Sequence, residues 1–465
     1  MSTAWPWIIL PLFTAIILWS FRHYHRLTLG ISVGLCITLA LGAAVLPLGG
    51  TLRLGNWSLD LNDTLTLLGR QLRLTSSDRP LLILIYSASA WWFLGTLRHR
   101  TSPFFIPHGL ATVALLVSAF AVEPFIYTAP LLALGVFVAI PALSPPHHTP
   151  SPATLRFLTL QSLALPPILI GGWVLSQFES APQQIESVLP AVLLVAIGFA
   201  LWLTIFPFHT WAVMLPKDNP LYEAGFFLVL ITTAGFLVFL DFLNSNPWVR
   251  NLFVINATLQ LVGGIMILYA GLGVWFTTNL NRFLGYSLIL DSGFALIAIA
   301  LGSAQGITYF LELLPGRVLG GFLLTHSLGS LQNHPEASSP HSPERLKPIT
   351  WGSLGFLVGY FSLGGLPLLA SFPVRQGILF SLAQQSLPAA MGVLLGNILF
   401  LLNGIRLIGY AVQPLSETIQ FTHGLREISF LTLISIIGLL GLGLLPAFLL
   451  NPALQAAQSF INLIR

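Results

Sequence analysis

Charged residues are scarce in this sequence. Asp, Glu, Lys and Arg together make up 7% of the 465 residues, whereas hydrophobic residues make up 55%. A soluble domain carries about 25% charged residues, so this chain lacks the polar side chains that a water-facing surface of its size requires. The composition therefore predicts an integral membrane protein.

Cysteine, clustered basic residues and enzyme motifs are scarce as well. Cys36 is the only cysteine, which excludes a disulfide, a Cys-ligated iron–sulfur cluster and a Cys-based zinc site within this sequence. The net charge is only +4 and is spread through short loops, so nucleic-acid binding is not predicted. The sequence has no Gly-rich nucleotide loop, metal-ligand cluster or nucleophile elbow. We therefore predict no catalytic residue, no metal and no cofactor.

Long apolar segments are abundant and recur along the whole chain. A spanning helix needs about 20 mostly apolar residues. The first such segment, Trp5 to Phe21, lacks the basic start and the cleavage site of a signal peptide, so it is predicted to be a retained span. The sequence predicts an all-α polytopic membrane protein with about fourteen spans, near residues 5–22, 28–48, 80–97, 105–122, 124–144, 155–176, 187–215, 221–243, 251–276, 283–302, 306–329, 351–386, 389–413 and 428–450.

The distribution of arginine and lysine predicts the orientation of these spans. If the N-terminus lies outside, the inner connections carry Arg22, Arg26, Arg98, Arg100, Arg156, Lys217, Arg282, Arg345, Lys347, Arg406 and Arg426. The outer side carries Arg53, Arg70, Arg73, Arg79, Arg250 and Arg465, mostly in one long loop. Long loops count less in the positive-inside rule. We therefore expect both termini on the non-cytoplasmic side of a plasma or thylakoid membrane.

Two connections differ in composition from the others. Residues 50–79 contain stretches in which apolar and polar residues alternate, which is a strand signal and predicts a small extramembrane hairpin. Residues 332–348 are rich in Pro, Ser and His. Such a composition is typical of a flexible loop, and here it predicts a cytoplasmic connection between two halves of the chain.

Two predicted spans are interrupted by proline, one at Pro207 and Pro216 and the other at Pro367 and Pro373. Proline removes a helical hydrogen bond and clashes with the preceding turn. Unwound backbone is tolerated within a bilayer only where protein or water satisfies it. Two interrupted spans at corresponding places in two halves favour an inverted-repeat transporter with a site at the midplane. The alternative is an ordinary kink in each span.

The same segments resemble the antiporter-like membrane subunits of complex I, membrane-bound hydrogenases and Mrp sodium/proton antiporters. That family's seventh span ends in a Pro-Phe/Leu-His-x-Trp-Leu-Pro motif, which is similar to Pro207-Phe208-His209-Thr210-Trp211 followed by Pro216. An Asp-x-Lys-Arg-x-x-Ala-Tyr-Ser motif resembles Asn279 to Ser287, and a Gly-x-Pro pattern with a later Phe resembles Gly365 to Phe372.

The resemblance has implications for fold, organisation and partners. It implies fourteen spans, with N-terminal spans over 1–104, two inverted five-helix repeats over 105–245 and 246–413, and a C-terminal span within 414–465. It also implies other membrane subunits as partners and protons or sodium ions as the transported species. If the assembly is a redox translocase, electron transfer takes place in other subunits.

The charged positions of the family are mostly lost here. The fifth-span Glu, the seventh-span and eighth-span Lys, the Lys of the Lys-Arg motif and the eleventh-span His fall on or near Leu132, Trp202, Thr232, Asn281 and Pro315. None of these side chains relays protons. Arg375 keeps a charge at the twelfth-span position, but arginine stays protonated. We therefore predict impaired or absent proton conduction through the first half.

A few charged or titratable residues remain within the predicted spans. Asp291, Glu312, Arg317 and Arg375 could form a residual polar path, since charges within a bilayer are costly and usually functional. His209 and His326 are further candidates. The eleventh span is also predicted to break at Pro315 and Gly316, between Glu312 and Arg317.

Each of these assignments has a structural alternative. Glu312 or Asp291 could form a fixed ion pair with Arg317 that only stabilises helix packing. His209 could cap backbone carbonyls beside the break. Glu223, which follows Pro220, is expected to pair with Lys217.

The sequence leaves three functions open. The first is a divergent antiporter-like subunit of a complex I-type or Mrp-type assembly. The second is an independent secondary transporter built on the same scaffold. The third is a structural membrane protein without conduction.

Overall fold

The computed structural model describes residues 4–464 except 47, 49, 55–56, 62–63, 68, 146–148, 179–184, 251, 333–350 and 413–429. The described residues are mainly helical. The helices are α1 Ala4–Ser20, α2 His25–Val45, α3 Arg79–Gly95, α4 Phe105–Ala121, α5 Thr128–Leu143, α6 Pro152–Leu163, α7 Leu165–Leu175, α8 Ile185–Trp202, α9 Thr210–Asp218, α10 Leu221–Ser245, α11 Pro247–Arg250, α12 Phe253–Phe276, α13 Asn281–Ala300, α14 Ala304–Gln332, α15 Trp351–Gly364, α16 Phe372–Gln385, α17 Leu387–Val412, α18 Phe430–Leu444, α19 Ala447–Ala457 and α20 Ile461–Ile464.

The helices account for the predicted number of apolar segments. Among the described residues, eight helices are long and apolar enough to cross a membrane, with α6 and α7 counted together. There are also three apolar helices of 17 residues, α1, α3 and α4. Three further pairs of helices are separated by short breaks, namely α8–α9, α15–α16 and α18–α19. If each of these helices and each pair is counted as one span, the number of spans rises from eight to fourteen. The prediction of an all-α polytopic membrane protein is confirmed.

The centre of the molecule is formed by α10, α13 and α14. The residues of α10 and α13 are buried almost without exception, whereas most residues of α2, α12 and α17 are at least partly exposed. A helix that is apolar all round is stable only when other helices or lipid surround it. The side chains of α13 therefore face protein in every direction, and the exposed helices supply the surface for lipid and partners.

Two helices are interrupted inside the bundle. Helix α8 ends at Trp202 and α9 begins at Thr210, and the intervening segment contains Pro207 and a left-handed Thr204 with φ of 60°. A second interruption separates α15, which ends at Gly364, from α16, which begins at Phe372. Pro216 lies inside α9 and does not end it.

The interruption between α15 and α16 covers residues 365–371. Gly365 and Leu368 have positive φ angles of 73° and 75°, and Pro367 lies between them. Pro373 lies in the first turn of α16, where a missing N–H costs nothing because it has no helical acceptor. The first helix therefore ends at Gly364, and a new helix begins at Phe372.

The predicted break at Pro315 and Gly316 is wrong. Helix α14 is continuous from Ala304 to Gln332 and includes both residues. A single proline removes one hydrogen bond, which neighbouring helices can compensate within a membrane. Gly316 instead permits close packing, since a Cβ there would lie 2.8 Å from the Ser371 Oγ.

The alternating segment after α2 forms two hairpins rather than one. Strands β1 Gly50–Leu54 and β2 Trp57–Leu61 pair antiparallel. Strands β3 Thr64–Leu67 and β4 Arg70–Arg73 form the second hairpin, to which β5 Val122–Glu123 adds a third strand. The turn between α4 and α5 is thereby attached to the second hairpin.

The C-terminal helices lie across the ends of other elements. Helices α18 and α19 meet at a bend of 81°. The Ser459 hydroxyl donates to Asp78 Oδ1 at 2.6 Å, and the Asn462 amides bond with Asn244. Arg250 donates to carbonyls of Leu463 and Ser303. We refer to residues 447–464 as the C-terminal clasp.

All but the first residue of the predicted loop 332–348 lies outside the described residues.

Candidate functional site

A buried carboxylate lies between two arginines at the centre of the bundle. Asp291 of α13 is fully buried, and its Oδ2 lies 3.3 Å from Arg317 Nη1. Its Oδ1 lies 3.1 Å from Arg375 Nη2. Both arginines are also buried. We call Asp291, Arg317 and Arg375 the arginine–aspartate cluster. It contains three of the four charged residues that the sequence predicted as candidates for a polar path.

Arg317 reaches the cluster from α14 and connects it to α10. Its Nη2 donates to Thr232 Oγ1 at 2.8 Å and to Ser292 Oγ at 3.2 Å. The guanidinium carbon lies 5.2 Å from the centre of the Phe236 ring, a geometry that attracts a cation. Through these hydrogen bonds Arg317 of α14 joins α10, which carries Thr232, to α13, which carries Ser292.

Arg375 owes its position to the α15–α16 interruption. It lies in the first turn of α16, and its Nη1 donates to Asn397 Oδ1 at 3.3 Å. Its guanidinium carbon lies 4.4 Å from the Phe294 ring centre. A Cβ at Gly365 would lie 2.7 Å from Arg375 Cδ. Glycine is therefore required at residue 365 both for the positive φ and for the space that the arginine fills.

The formal charges of the cluster do not cancel. Two guanidinium groups and one carboxylate leave a formal charge of +1 in a buried environment. Both Nε atoms are buried without a hydrogen-bond partner in the described chain. Moving charges into a low-dielectric interior costs several kcal/mol per ion, so an arrangement of this kind persists only where the surrounding helices hold it in place.

Glu312 does not join the cluster. It is half-buried on α14, and no described residue lies within ion-pair distance of its carboxylate. Five residues separate it from Arg317, so the two side chains leave the helix on different faces. Of the two ion pairs considered for Arg317, the one with Asp291 forms and the one with Glu312 does not.

His209 is separate from the cluster and makes no capping contact. Its ring stacks on Phe206 at 5.5 Å between centres and meets Tyr269 edge-on at 4.2 Å. Neither ring nitrogen has a hydrogen-bond partner in the described chain, and the side chain does not cap α9. The histidine of the motif is therefore held by contacts with two aromatic rings.

Two first-half positions that the family resemblance singled out hold packed, uncharged side chains. Leu132 is fully buried in α5. Trp202 is also buried, and its indole N–H donates to the backbone carbonyl of Gln161 at 3.1 Å. The side-chain amide of Gln161 is buried without a hydrogen-bond partner among the described residues.

A second titratable pair was only half identified from the sequence. His326 of α14 bonds to His99, with 2.9 Å between Nδ1 and Nε2. His99 lies in the turn after α3 and stacks on Tyr222. Burial, with smaller contributions from the neighbouring His326 and Arg98, lowers the pKa of His99 to about 3. Its place in an Arg-rich loop gave no sign of burial, which is why the sequence did not reveal it.

The expected pairing of Glu223 with Lys217 is wrong. Glu223 accepts a hydrogen bond from the backbone N–H of Ser102 at 2.5 Å. Lys217 instead lies 3.4 Å from Asp218, its neighbour in the chain. Glu223 points into the bundle from the first turn of α10, where a solvated lysine at the end of α9 does not reach it.

Comparison with known sequences gives a family match. Residues 174–400 match the family described as NADH:quinone oxidoreductase/Mrp antiporter, transmembrane. The NADH-quinone oxidoreductase subunit N 1 of Herpetosiphon aurantiacus is 27% identical over 266 residues, covering 54% of this chain and 52% of that protein. Subunit N of Buchnera aphidicola is 27% identical over 377 residues, covering 74% and 76%. The chain thus spans about half of the first relative and three quarters of the second.

Comparison with solved structures extends the similarity to the whole fold. A chain of an archaeal membrane-bound sulfane sulfur reductase has a TM-score of 0.80 at 16% identity. Chains of complex I from Thermus thermophilus and of the Mrp complex from Dietzia sp. DQ12-45-1b have TM-scores of 0.74 and 0.76, at 18% and 16% identity. Each comparison covers 99% of this chain and 98–99% of the other.

The three lines of comparison agree with the motifs around Pro207, Asn279 and Gly365. They agree as well with the interrupted helices α8–α9 and α15–α16. Residues 174–400 therefore belong to the NADH:quinone oxidoreductase/Mrp antiporter family, and the chain as a whole has the fold of that family's antiporter-like membrane subunits.

Proposed function

We propose that this chain is a divergent antiporter-like subunit of a complex I-type or Mrp-type membrane assembly whose first half does not conduct protons. The observation that carries the proposal is the replacement of the family's charged positions by packed, uncharged groups. Leu132 and Trp202 are buried among apolar neighbours, and Thr232 is bonded to Arg317. A proton relay needs groups that titrate, and these side chains do not.

The arginine–aspartate cluster is proposed to act as a fixed charge. Both oxygens of Asp291 are engaged by arginines, and arginine does not release its proton. A buried charge is screened much less than a surface charge, so its field extends to neighbouring helices and subunits. The cluster would then bias ion movement in the assembly electrostatically without carrying an ion itself. Glu312 and His326 would be the titratable groups left in the second half.

The partners proposed for this chain are other membrane subunits. Its relatives include chains named as subunit N of NADH-quinone oxidoreductase, and its structural neighbours come from complex I, Mrp and an archaeal respiratory complex. In such an assembly, protons or sodium ions would be moved, and electron transfer would take place elsewhere. The two inverted repeats over 105–245 and 246–413 and the non-cytoplasmic termini belong to the same proposal.

The decisive measurement is proton uptake by membrane vesicles that contain the native assembly. His209→Ala and Glu223→Gln remove titratable groups of the first half. We expect wild-type proton uptake per assembled complex from both, because neither group belongs to a conducting path. Vesicles from cells that lack this chain serve as the control for the sensitivity of the assay. A clear loss of uptake by either variant in a fully assembled complex would contradict the proposal.

Purification of the tagged chain from its native membrane tests the assembly. We expect it to purify in a large complex with other membrane subunits. A lone chain that moves ions after reconstitution into liposomes would instead identify an independent secondary transporter.

A further inference from the structure

An apolar surface groove lies between α1, α4 and α5, away from the arginine–aspartate cluster. It has a volume of about 440 Å³. We call it the α1–α4–α5 groove; its lining includes Ala15, Trp19, His108, Ala111, Phe137 and Pro141. Small alanines form the floor, and the large Trp19 and Phe137, which are 49% and 44% exposed, stand along the walls.

A cation lies next to Trp19 of the groove. Arg22 follows α1, and its guanidinium carbon lies 5.0 Å from the ring centre of Trp19 and 5.2 Å from that of Phe104. Its Nη1 donates to the Trp19 carbonyl at 3.1 Å and its Nε is buried, whereas its Nη2 makes no hydrogen bond with the described residues. No described carboxylate lies within 4.0 Å of it. The guanidinium therefore retains donors for an external anion.

The position of this cation relative to the membrane favours a lipid headgroup. Arg22 and Arg26 belong to the basic connections that the sequence places on the cytoplasmic side. Trp19 lies at the end of a spanning helix, where tryptophan is enriched at the membrane interface. Anionic lipids attract basic residues near the membrane surface. A phosphate at Arg22 would continue into an acyl chain in the groove below.

The size of the groove favours an acyl chain over a partner helix. A helix about 10 Å in diameter with a pitch of 5.4 Å occupies roughly 420 Å³ per turn. The groove therefore has space for about one helical turn, so a spanning helix would lie across it and not within it. A single hydrocarbon chain is thinner and follows the floor formed by Ala15 and Ala111.

We propose that the α1–α4–α5 groove binds an anionic phospholipid, with one acyl chain in the groove and the phosphate held by Arg22. The proposal does not depend on ion movement by the subunit. It concerns a surface that the central site does not use.

Lipid retention by the purified full-length chain, measured by native mass spectrometry, tests this assignment. We expect the wild type to retain phosphatidylglycerol in preference to phosphatidylcholine. Arg22→Gln should weaken phosphatidylglycerol retention about fivefold to tenfold, since one basic contact to the headgroup is lost, and should leave phosphatidylcholine retention unchanged. Arg22→Lys should keep most of the preference, because a point charge still attracts phosphate.

A second variant tests the groove itself. Ala111→Trp fills the floor and should abolish retention of the lipid whatever its headgroup. Arg100→Gln, an exposed arginine outside the groove, and Gly392→Trp, which enters open space on α17, are the matched controls and should behave as the wild type.

Three outcomes would overturn the proposal. The first is unchanged phosphatidylglycerol retention in both Arg22→Gln and Ala111→Trp. The second is displacement of the lipid by inorganic phosphate as effectively as by short-chain phosphatidylglycerol, which would assign Arg22 to a free anion. The third is cross-linking of Ile16→Cys to a partner subunit in the native assembly with no lipid retained.

Discussion

Each oxygen of the Asp291 carboxylate faces a different arginine, so this residue neutralises part of a charge that no other described acid reaches. Removal of the carboxylate would leave two buried guanidinium groups opposed only by neutral acceptors such as Thr232, Ser292 and Asn397. Loss of one partner from a buried ion pair costs more than the pair contributes, because the remaining charge has no compensation.

Asp291→Asn is therefore expected to destabilise the protein by roughly 3–5 kcal/mol. The amide nitrogen would also face a guanidinium donor, which adds repulsion between like groups. Thermal unfolding of the detergent-solubilised chain measures the effect. Arg375→Gln should cost less, since it leaves the neutral pair of Asp291 and Arg317.

Asp218→Asn is the matched control for this prediction. Asp218 pairs with Lys217 at 3.4 Å, but both side chains are partly exposed. Exposed pairs contribute only about 0–1 kcal/mol. Equal unfolding temperatures for Asp291→Asn and Asp218→Asn would show that the central carboxylate does not hold the two arginines.

At the residue scale, the sequence identified the members of the cluster but not their pairing. Asp291, Arg317 and Arg375 stood out because charges within apolar spans are costly. Which acid meets which base depends on the rotation of α13, α14 and α16 about their axes, and periodicity in a uniformly apolar helix does not define that rotation. Glu312 was included for its charge, yet its side chain leaves α14 on another face.

At the scale of helices, the α15–α16 interruption depends on Gly365. This residue combines a φ of 73° with a space in which a Cβ would lie 2.7 Å from Arg375 Cδ. Gly365→Ala should therefore destabilise the protein by about 1–3 kcal/mol through backbone strain, with an added cost from displacement of the arginine. Thermal unfolding again provides the measurement.

Gly392→Ala is the matched control for the helix prediction. Gly392 lies inside α17, and an added Cβ meets nothing within 4 Å. Alanine is favoured over glycine in a helix by up to about 1 kcal/mol, so this change should be neutral or stabilising. If Gly365→Ala were equally harmless, the interruption would not be held by the glycine.

Proline alone did not predict where helices end. The interruptions after Trp202 and Gly364 contain left-handed residues as well as proline, namely Thr204, Gly365 and Leu368. Pro315 has no such neighbour, and α14 continues through it. In the sequence, the glycine beside Pro315 indicated a break in the helix. In the structure, Gly316 instead permits close packing. The difference lies in the contacts of Gly316 with Ala370 and Ser371 of the α15–α16 interruption, which local sequence does not encode.

At the scale of the whole molecule, the orientation in the membrane is open to direct measurement. Cys36 is buried, so an introduced cysteine is the reactive thiol in a labelling experiment. Ser76 precedes α3 and Arg100 follows it, and both are exposed. We expect Ser76→Cys to react with a membrane-impermeant maleimide from the non-cytoplasmic side, and Arg100→Cys only after the cytoplasmic side is made accessible.

The positive-inside rule provides the reason for this expectation, since Arg98 and Arg100 follow α3 and basic connections are expected on the cytoplasmic side. Labelling in the reverse order would invert the topology of every span. Labelling of both cysteines from one side would mean that α3 does not cross the membrane.

The number of apolar segments was predictable because hydrophobicity reports directly on contact with lipid. The C-terminal clasp was not, because its contacts join residues that are distant in sequence. Asn244, Arg250 and Asp78 gave no pattern that pointed to residues 459–463. Polar contacts between the ends of helices depend on the finished packing of the bundle.

The clasp also has a consequence for the order of synthesis. Asp78 and Ser459 are 381 residues apart in the chain. At about 5–20 residues per second, the ribosome needs roughly 20–80 s to pass from one to the other. During that interval α3 has already been synthesised, but Asp78, the buried acid that precedes it, lacks the hydrogen bond from Ser459. The N-terminal spans therefore remain in the membrane without this contact until the C-terminal clasp has been synthesised. The speed of translation then sets how long they stay in that state.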